Sequence, residues 1–414
     1  MFIDTFIATG KSEGWLLDTG NSDVKFINGS SQNCPIYEVR VDKLHYNVQN
    51  GRIATFISRY EAEHGELPSD QQALDDLIEK MIEEDNPKHL KVTKLDIKTK
   101  GQQQAAIILS DGTVIDGNRR FTCLRQLSRE EHQDRMVRCF VFPDTYDSNA
   151  IKGLELEIQL GEDEKEGYDP IARLVDIDRW VNEGSMTEEE YAKHANFKKG
   201  EMKKYQDQIA VMKDFLEFVG APGAFHIAQD FKLQGAIESL AGRLSKVKNA
   251  DDRMDIENVV FANLVSGSLG DRARVVRDMV DNLIEDNSYL DEQLGLAEQV
   301  LDKFEELPEG TVVTTELLRD QIGADDVLRG DFKASQEKAK TKAGNRKFKN
   351  GQVRAVRDAI SDIQGVDTAV LGKLEDAQLQ EMVKDVADLL KIVADLKVAL
   401  DDAQLKRAAS EGVE

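Results

Sequence analysis

Positive charge, cysteine and long apolar runs are all scarce in this 414-residue chain. Only 54 Lys and Arg stand against 78 Asp and Glu, a formal charge of -24 at pH 7. A protein that wraps nucleic acid usually presents an overall basic face, so attraction to DNA requires cations concentrated locally. The acidic balance favours solubility and protein partners. Cys34, Cys123 and Cys139 have no paired spacing, which fits reduced thiols and excludes a disulfide framework. Cys123 with His132 and Cys139 matches no zinc module, so buried structural cysteines are the simpler expectation. No apolar stretch approaches the length of a bilayer span. Met1 to Gly10 contains Asp4 and lacks a basic start or a small-residue cleavage pair, so no signal peptide is expected and a cytoplasmic location is. Walker, Ser-His-Asp and metal-cluster patterns are missing as well. A hydrophobic share of 40% over this length still allows two or three domains with real cores.

What is there centres on Asp111-Gly112-Thr113-Val114-Ile115-Asp116-Gly117-Asn118-Arg119-Arg120, a turn, an apolar strand and two adjacent arginines. Gly117 lets the backbone approach a ligand without a Cβ in the way. Phe121 to Leu127 reads as a helix whose first N-H groups face the same point, and two guanidinium forks add charge suited to phosphate oxygens. Upstream, Tyr37 to Val41 alternates like a strand, Asn50-Gly51-Arg52 follows, and Gly101-Gln102-Gln103-Gln104 precedes the apolar strand Ala105 to Leu109.

This order of motifs resembles the amino-terminal domain of the ParB/sulfiredoxin superfamily. In that family an Asn-x-Arg box, a Gly-x-x-Gln and a Gly-x-Arg-Arg at a strand-helix junction line one nucleotide pocket. The matching positions are Asn50 and Arg52, Gly101 and Gln104, and Gly117, Arg119 and Arg120, with Asp116 and Asn118 inside the last motif. The resemblance implies that Arg119 and Arg120 hold phosphates while Gly101 and Gln104 border base and sugar. Leu154 to Gln159 stands where ParB proteins carry a Glu-Asn-x-Gln-Arg box that helps hold the triphosphate and its metal. Gln159 fits that box, Leu160 replaces its arginine, and Glu157 sits one place from the usual register. The implied ligand is CTP or ATP with Mg²⁺, assisted by Glu157 or Asp116. Sulfiredoxin's cysteine position is taken by Asn118, which argues against sulfinic-acid reduction.

Beyond residue 150 helical periodicity takes over. Ile171 to Val181 forms one helix, Thr187 with Glu190 makes a capping box for a short helix to His194, and Ala195 to Gly200 turns into a longer one. That longer helix has Met202, Tyr205, Ile209, Met212, Leu216 and Val219 as its buried stripe. Two helices joined this way follow the helix-turn-helix layout, at the place where the ParB family carries its own. Lys198, Lys199, Lys203 and Lys204 would contact DNA phosphates, although Glu201 and Asp207 share the face and no arginine is present for guanine readout. Lys333 to Arg357 is the one strongly basic segment, and Arg346, Lys347 and Lys349 are further DNA candidates in it, against the bland reading of a solvated face. Leu379, Met382, Val386, Leu389, Val393, Leu396 and Leu400 recur at heptad steps, either as a self-associating coiled coil or as a terminal helix docked on its own chain.

The expected architecture is an α+β ParB/sulfiredoxin-like domain followed by a mainly α-helical carboxy-terminal half. Its segments are a nucleotide-binding domain over 1–150, a helix-turn-helix-like domain over 151–225, a helical domain over 226–310, and the basic segment with the last helix over 311–414. The expected function is a nucleotide-binding, DNA-associated switch or clamp acting as a homodimer, with nucleotide hydrolysis left open. Two rivals stand beside it. One is a small-molecule kinase or nuclease on the same fold, since Asp116-Gly117-x-x-Arg120 looks like the turn of free-serine kinases and Asp116 could serve as its base. The other is a non-enzymatic adaptor whose acidic surface and long helices bind proteins.

Overall fold

A computed structural model describes residues 3–27, 30–142, 147–162, 169–270 and 272–411. Six strands, β1 (Leu16–Ile27), β2 (Ser30–Arg40), β3 (His45–Tyr46), β4 (Ala106–Ile108), β5 (Thr113–Asp116) and β6 (Met136–Val141), form one mixed sheet in the order β1-β2-β6-β4-β5-β3. Pairs β1-β2, β2-β6 and β4-β5 are antiparallel, while β4-β6 and β3-β5 are parallel. Alternation along the strands fills both sheet faces. Ala106, Ile108, Cys139 and Val141 join one core, and Ile107 and Phe140, one residue out of phase, join the other.

The sheet is accompanied by α1 (Ile3–Glu13), α2 (Ala54–His64), α3 (Gln71–Asp85), α4 (Pro87–Lys100) and α5 (Asn118–Glu131). Asn86 divides α3 from α4 because its side chain accepts from the His89 amide at 3.1 Å and Pro87 occupies the first helical turn. After the sheet come α6 (Ser148–Glu162), α7 (Pro170–Ile177), α8 (Glu188–His194), α9 (Glu201–Phe218), α10 (Phe225–Asp230), α11 (Gln234–Leu244), α12 (Ala250–Val265), α13 (Arg272–Glu285), α14 (Asn287–Glu305) and the short α15 (Thr315–Leu317). They share a second large core in which Met212, Phe215, Leu216 and Val260 are fully enclosed. The last helices are α16 (Asp326–Gln364) and α17 (Asp376–Glu411).

The chain is therefore mixed α/β at its amino-terminal end and mainly helical afterwards, as its pattern of periodicities predicts. Contacts divide it into two compact units, Met1–Lys340 and Thr341–Glu414, with the boundary inside α16. Among the described residues no helix is long and apolar enough to cross a membrane. Cys34, Cys123 and Cys139 are buried, and burial raises the Cys123 thiol to about 11.

Candidate functional site

β5 ends at Asp116 and the chain turns directly into α5 through Gly117, whose φ of 93° and ψ of 18° lie in the left-handed region. A Cβ there would stand 2.9 Å from the Ala106 Cβ and 3.1 Å from the Arg120 guanidinium, so both conformation and space call for glycine. No side chain caps α5, which leaves its first amides facing outward with positive dipole character. The Arg120 guanidinium donates to Asp116 Oδ2 at 3.0 Å and to Gln104 Oε1. This holds the arginine in place and ties the Gly101–Gln104 loop to the strand-helix turn.

That loop begins at Gly101, which ends α4 with φ 74° and donates its amide to Ile97 O at 2.9 Å. Gln102 fastens it to β6, donating to Arg138 O and accepting from the Arg138 amide, both at 2.8 Å. Across the cleft, buried Asn50 caps a single 3₁₀ turn, Gly51–Ile53, its Oδ1 accepting from the Arg52 amide at 3.1 Å.

These three segments enclose a cleft of about 820 Å³. Asn50, Arg52, Gly101, Gln104, Asp116, Gly117, Asn118, Arg119 and Arg120 all line it. Its cationic wall comes from Arg52, Arg119 and Arg120, and Ile53, Ile82, Ile97 and Ile115 give it apolar surface. Two buried polar atoms at the turn, Asn118 Oδ1 and Arg120 Nε, make no hydrogen bond among the described residues. Such atoms are costly unless something satisfies them.

One sequence-predicted residue stands elsewhere. Glu157 is turned toward α8, where its Oε1 meets His194 Nδ1 at 2.9 Å, and it does not line the cleft. One place of register on a helix swings a side chain by about 100°, and Ile158, the next residue, faces the cleft instead. The Gln159 side chain lies outside the described residues. The donors do not fit a protein-held Mg²⁺: Glu157 is on His194, Asp116 is paired with Arg120, and no His, Cys, Asp or Glu cluster suited to a metal occurs among the described residues.

Sequence reading missed Asp85, at the end of α3. Burial raises its carboxyl, Arg52 and Arg119 pull it back, and Asp169 raises it further. A carboxyl pulled in opposite directions by burial and by two guanidiniums is suited to exchange a proton. It was hidden because Glu83, Glu84 and Asp85 form an ordinary acidic run. Thr93 and Asp96 on α4 also line the cleft, and with Val92 and Ile97 they share one helix face, a signal that was there to be read.

The other expected surface lies on α8 and α9. The Thr187–Glu190 capping box is present in both directions, and the α9 stripe faces the helical core. Lys198, Lys199, Lys203 and Lys204 are exposed around Gly200, which starts α9 with φ 83°. Glu201 accepts from the Lys198 amide at 2.9 Å and so acts as a local cap. In α16, Lys349 is exposed, Arg346 is half-buried, and the side chain of Lys347 lies outside the described residues.

Neither a family model nor a curated protein sequence matches the chain.

Proposed function

We propose that the amino-terminal domain is ParB/sulfiredoxin-like and that its cleft binds a nucleoside triphosphate, CTP or ATP, to set how α8 and α9 engage duplex DNA. The observation that carries this reading is the convergence of Asn50-Gly51-Arg52, Gly101–Gln104 and Asp116–Arg120, far apart in sequence, on one cleft. Arg119 and Arg120 supply charge-assisted bonds to phosphate, the uncapped α5 amides supply neutral ones, and the isoleucine surface receives base and sugar.

Helix α6 supports the link to DNA. Glu155 accepts from the Gly51 backbone amide, Ile158 borders the cleft, and Glu157 pairs with His194 at the end of α8. A ligand that favours one position of the Asn50–Arg52 turn would thus bias the first helix of the helix-turn-helix through a single rigid element. Hydrogen exchange tests the assignment: CTP or ATP should slow exchange at Gly51–Ile53 and at Asn118–Phe121. Unchanged exchange at both segments with saturating nucleotide would remove the cleft from consideration.

A second reading, phosphoryl transfer to a small hydroxyl compound, is favoured by Asp85, which could take the hydroxyl proton. Its test is nucleotide turnover with small alcohols, which Asp85→Asn should abolish while leaving nucleotide affinity within about twofold.

A further inference from the structure

The second unit leaves a large apolar surface bare. On α17 the seam residues Leu379, Val386, Val393, Leu396 and Leu400 are 41–53% exposed, and beside them Val383, Leu390 and Ile392 are 64–65% exposed. With Val386 and Val393 at heptad position a, Val383 and Leu390 fall at e and Ile392 at g. A two-stranded coil buries a and d alone, so a face this broad is covered only by two neighbouring helices. The end of α16 carries a seam of its own, Val353, Val356, Ile360 and Ile363, at steps of three, four and three and 42–54% exposed. Contiguous apolar surface on this scale marks an interaction site.

Charge and length identify the occupant. Thr341–Gln364 holds six Lys and Arg against two acids, whereas α17 holds eight acids against five Lys and Arg. The α16 seam runs about 15 Å and the α17 seam about 32 Å at helical rise, so one α16 end covers half of an α17. Both seams are exposed together within the second unit, so that unit does not cover its own. We infer that a second copy of this chain does: the basic end of α16 from each protomer packs on the acidic α17 of the other, and the two α17 helices pack together, in a four-helix assembly. The basic segment then serves protein contact, and DNA contact falls to the lysines of α8 and α9.

Sedimentation of the full chain tests this, with circular dichroism to check folding. The parent should be a dimer that dissociates more readily as salt rises. Reversing α16 charges, Arg354→Glu with Arg357→Glu, should weaken association by about tenfold or more, and so should Asp385→Lys with Asp388→Lys on α17. An equimolar mixture of these two variants should recover the lost association, because in the mixed dimer one α16–α17 contact is native and the other has its charges exchanged, so both again pair opposite charges. That recovery cannot come from misfolding. A monomeric parent overturns the proposal in favour of an intramolecular helix pair. A dimer indifferent to the α16 reversal overturns it in favour of α17 pairing alone.

Discussion

At the scale of single residues the cleft depends on Gly117 and its neighbours. Gly117→Ala imposes a left-handed alanine and pushes a methyl against Ala106 and Arg120. The expected cost is about 1–3 kcal/mol of stability, with a larger loss of ligand affinity because the Arg119–Arg120 turn moves; thermal unfolding and titration would read the two separately. Glu257 makes a prediction about pH. Burial, reinforced by Asp214, raises its carboxyl to about 7, so the folded chain keeps a proton that the unfolded chain releases near the ordinary glutamate value of 4.5. Its contribution is therefore full below about pH 4.5 and is lost as pH rises toward 7. Asp85 and Asp214 act in the same direction, and His226, whose protonated form burial disfavours, acts in the opposite one. Glu257 is partly open to screening solvent, so the effect is on the order of 1 kcal/mol. Glu257→Gln should flatten the fall in stability between about pH 5 and 8 in denaturant titrations, and an unaltered slope would show that the carboxyl is not held protonated.

At the scale of elements, α6 joins the cleft to the helical core through charges buried inside the protein. Lys152 Nζ donates to Asp176 Oδ1 at 2.7 Å, lies 3.4 Å from Glu155, and stands over the Trp180 ring, while the Tyr191 hydroxyl donates to Asp176 Oδ2 at 2.7 Å. Lys152→Met strands two buried carboxyls and should cost about 3–5 kcal/mol, read as a lower denaturant midpoint. The α8–α9 pair makes a different prediction. If its lysines contact DNA phosphates, Lys199→Gln with Lys203→Gln should lower the slope of log affinity against log salt by about 2, whereas Arg354→Glu and Arg357→Glu in α16 should act on assembly. Element types were legible where period and caps agreed, as in β4, β5, α8 and α9. β1 was not, because Asp18, Thr19, Asn21, Ser22 and Asp23 give an edge strand no apolar alternation. α16 was read only as a basic run, since its lysines masked the Val353–Ile363 seam.

At the scale of the whole molecule, the net charge of -24 sits beside a cleft lined by three arginines, a cluster of four exposed lysines and a basic helix end. A screening length of about 10 Å at moderate ionic strength lets each of these act locally despite the acidic remainder. The positions that line the cleft were legible because motif spacing survives in a single sequence. Asp85 and the turn of Glu157 toward His194 were not, because they depend on which face of a helix meets another element. The central claim, a triphosphate held by the Gly117–Arg120 turn, is tested most directly by calorimetric titration of CTP and ATP into the parent chain and into Arg119→Ala. One nucleotide should bind the parent with a stoichiometry of about one per chain, and Arg119→Ala should weaken it by about 1.5–3 kcal/mol, tenfold or more. No heat with any nucleoside triphosphate, or equal affinity in parent and variant, would contradict the claim.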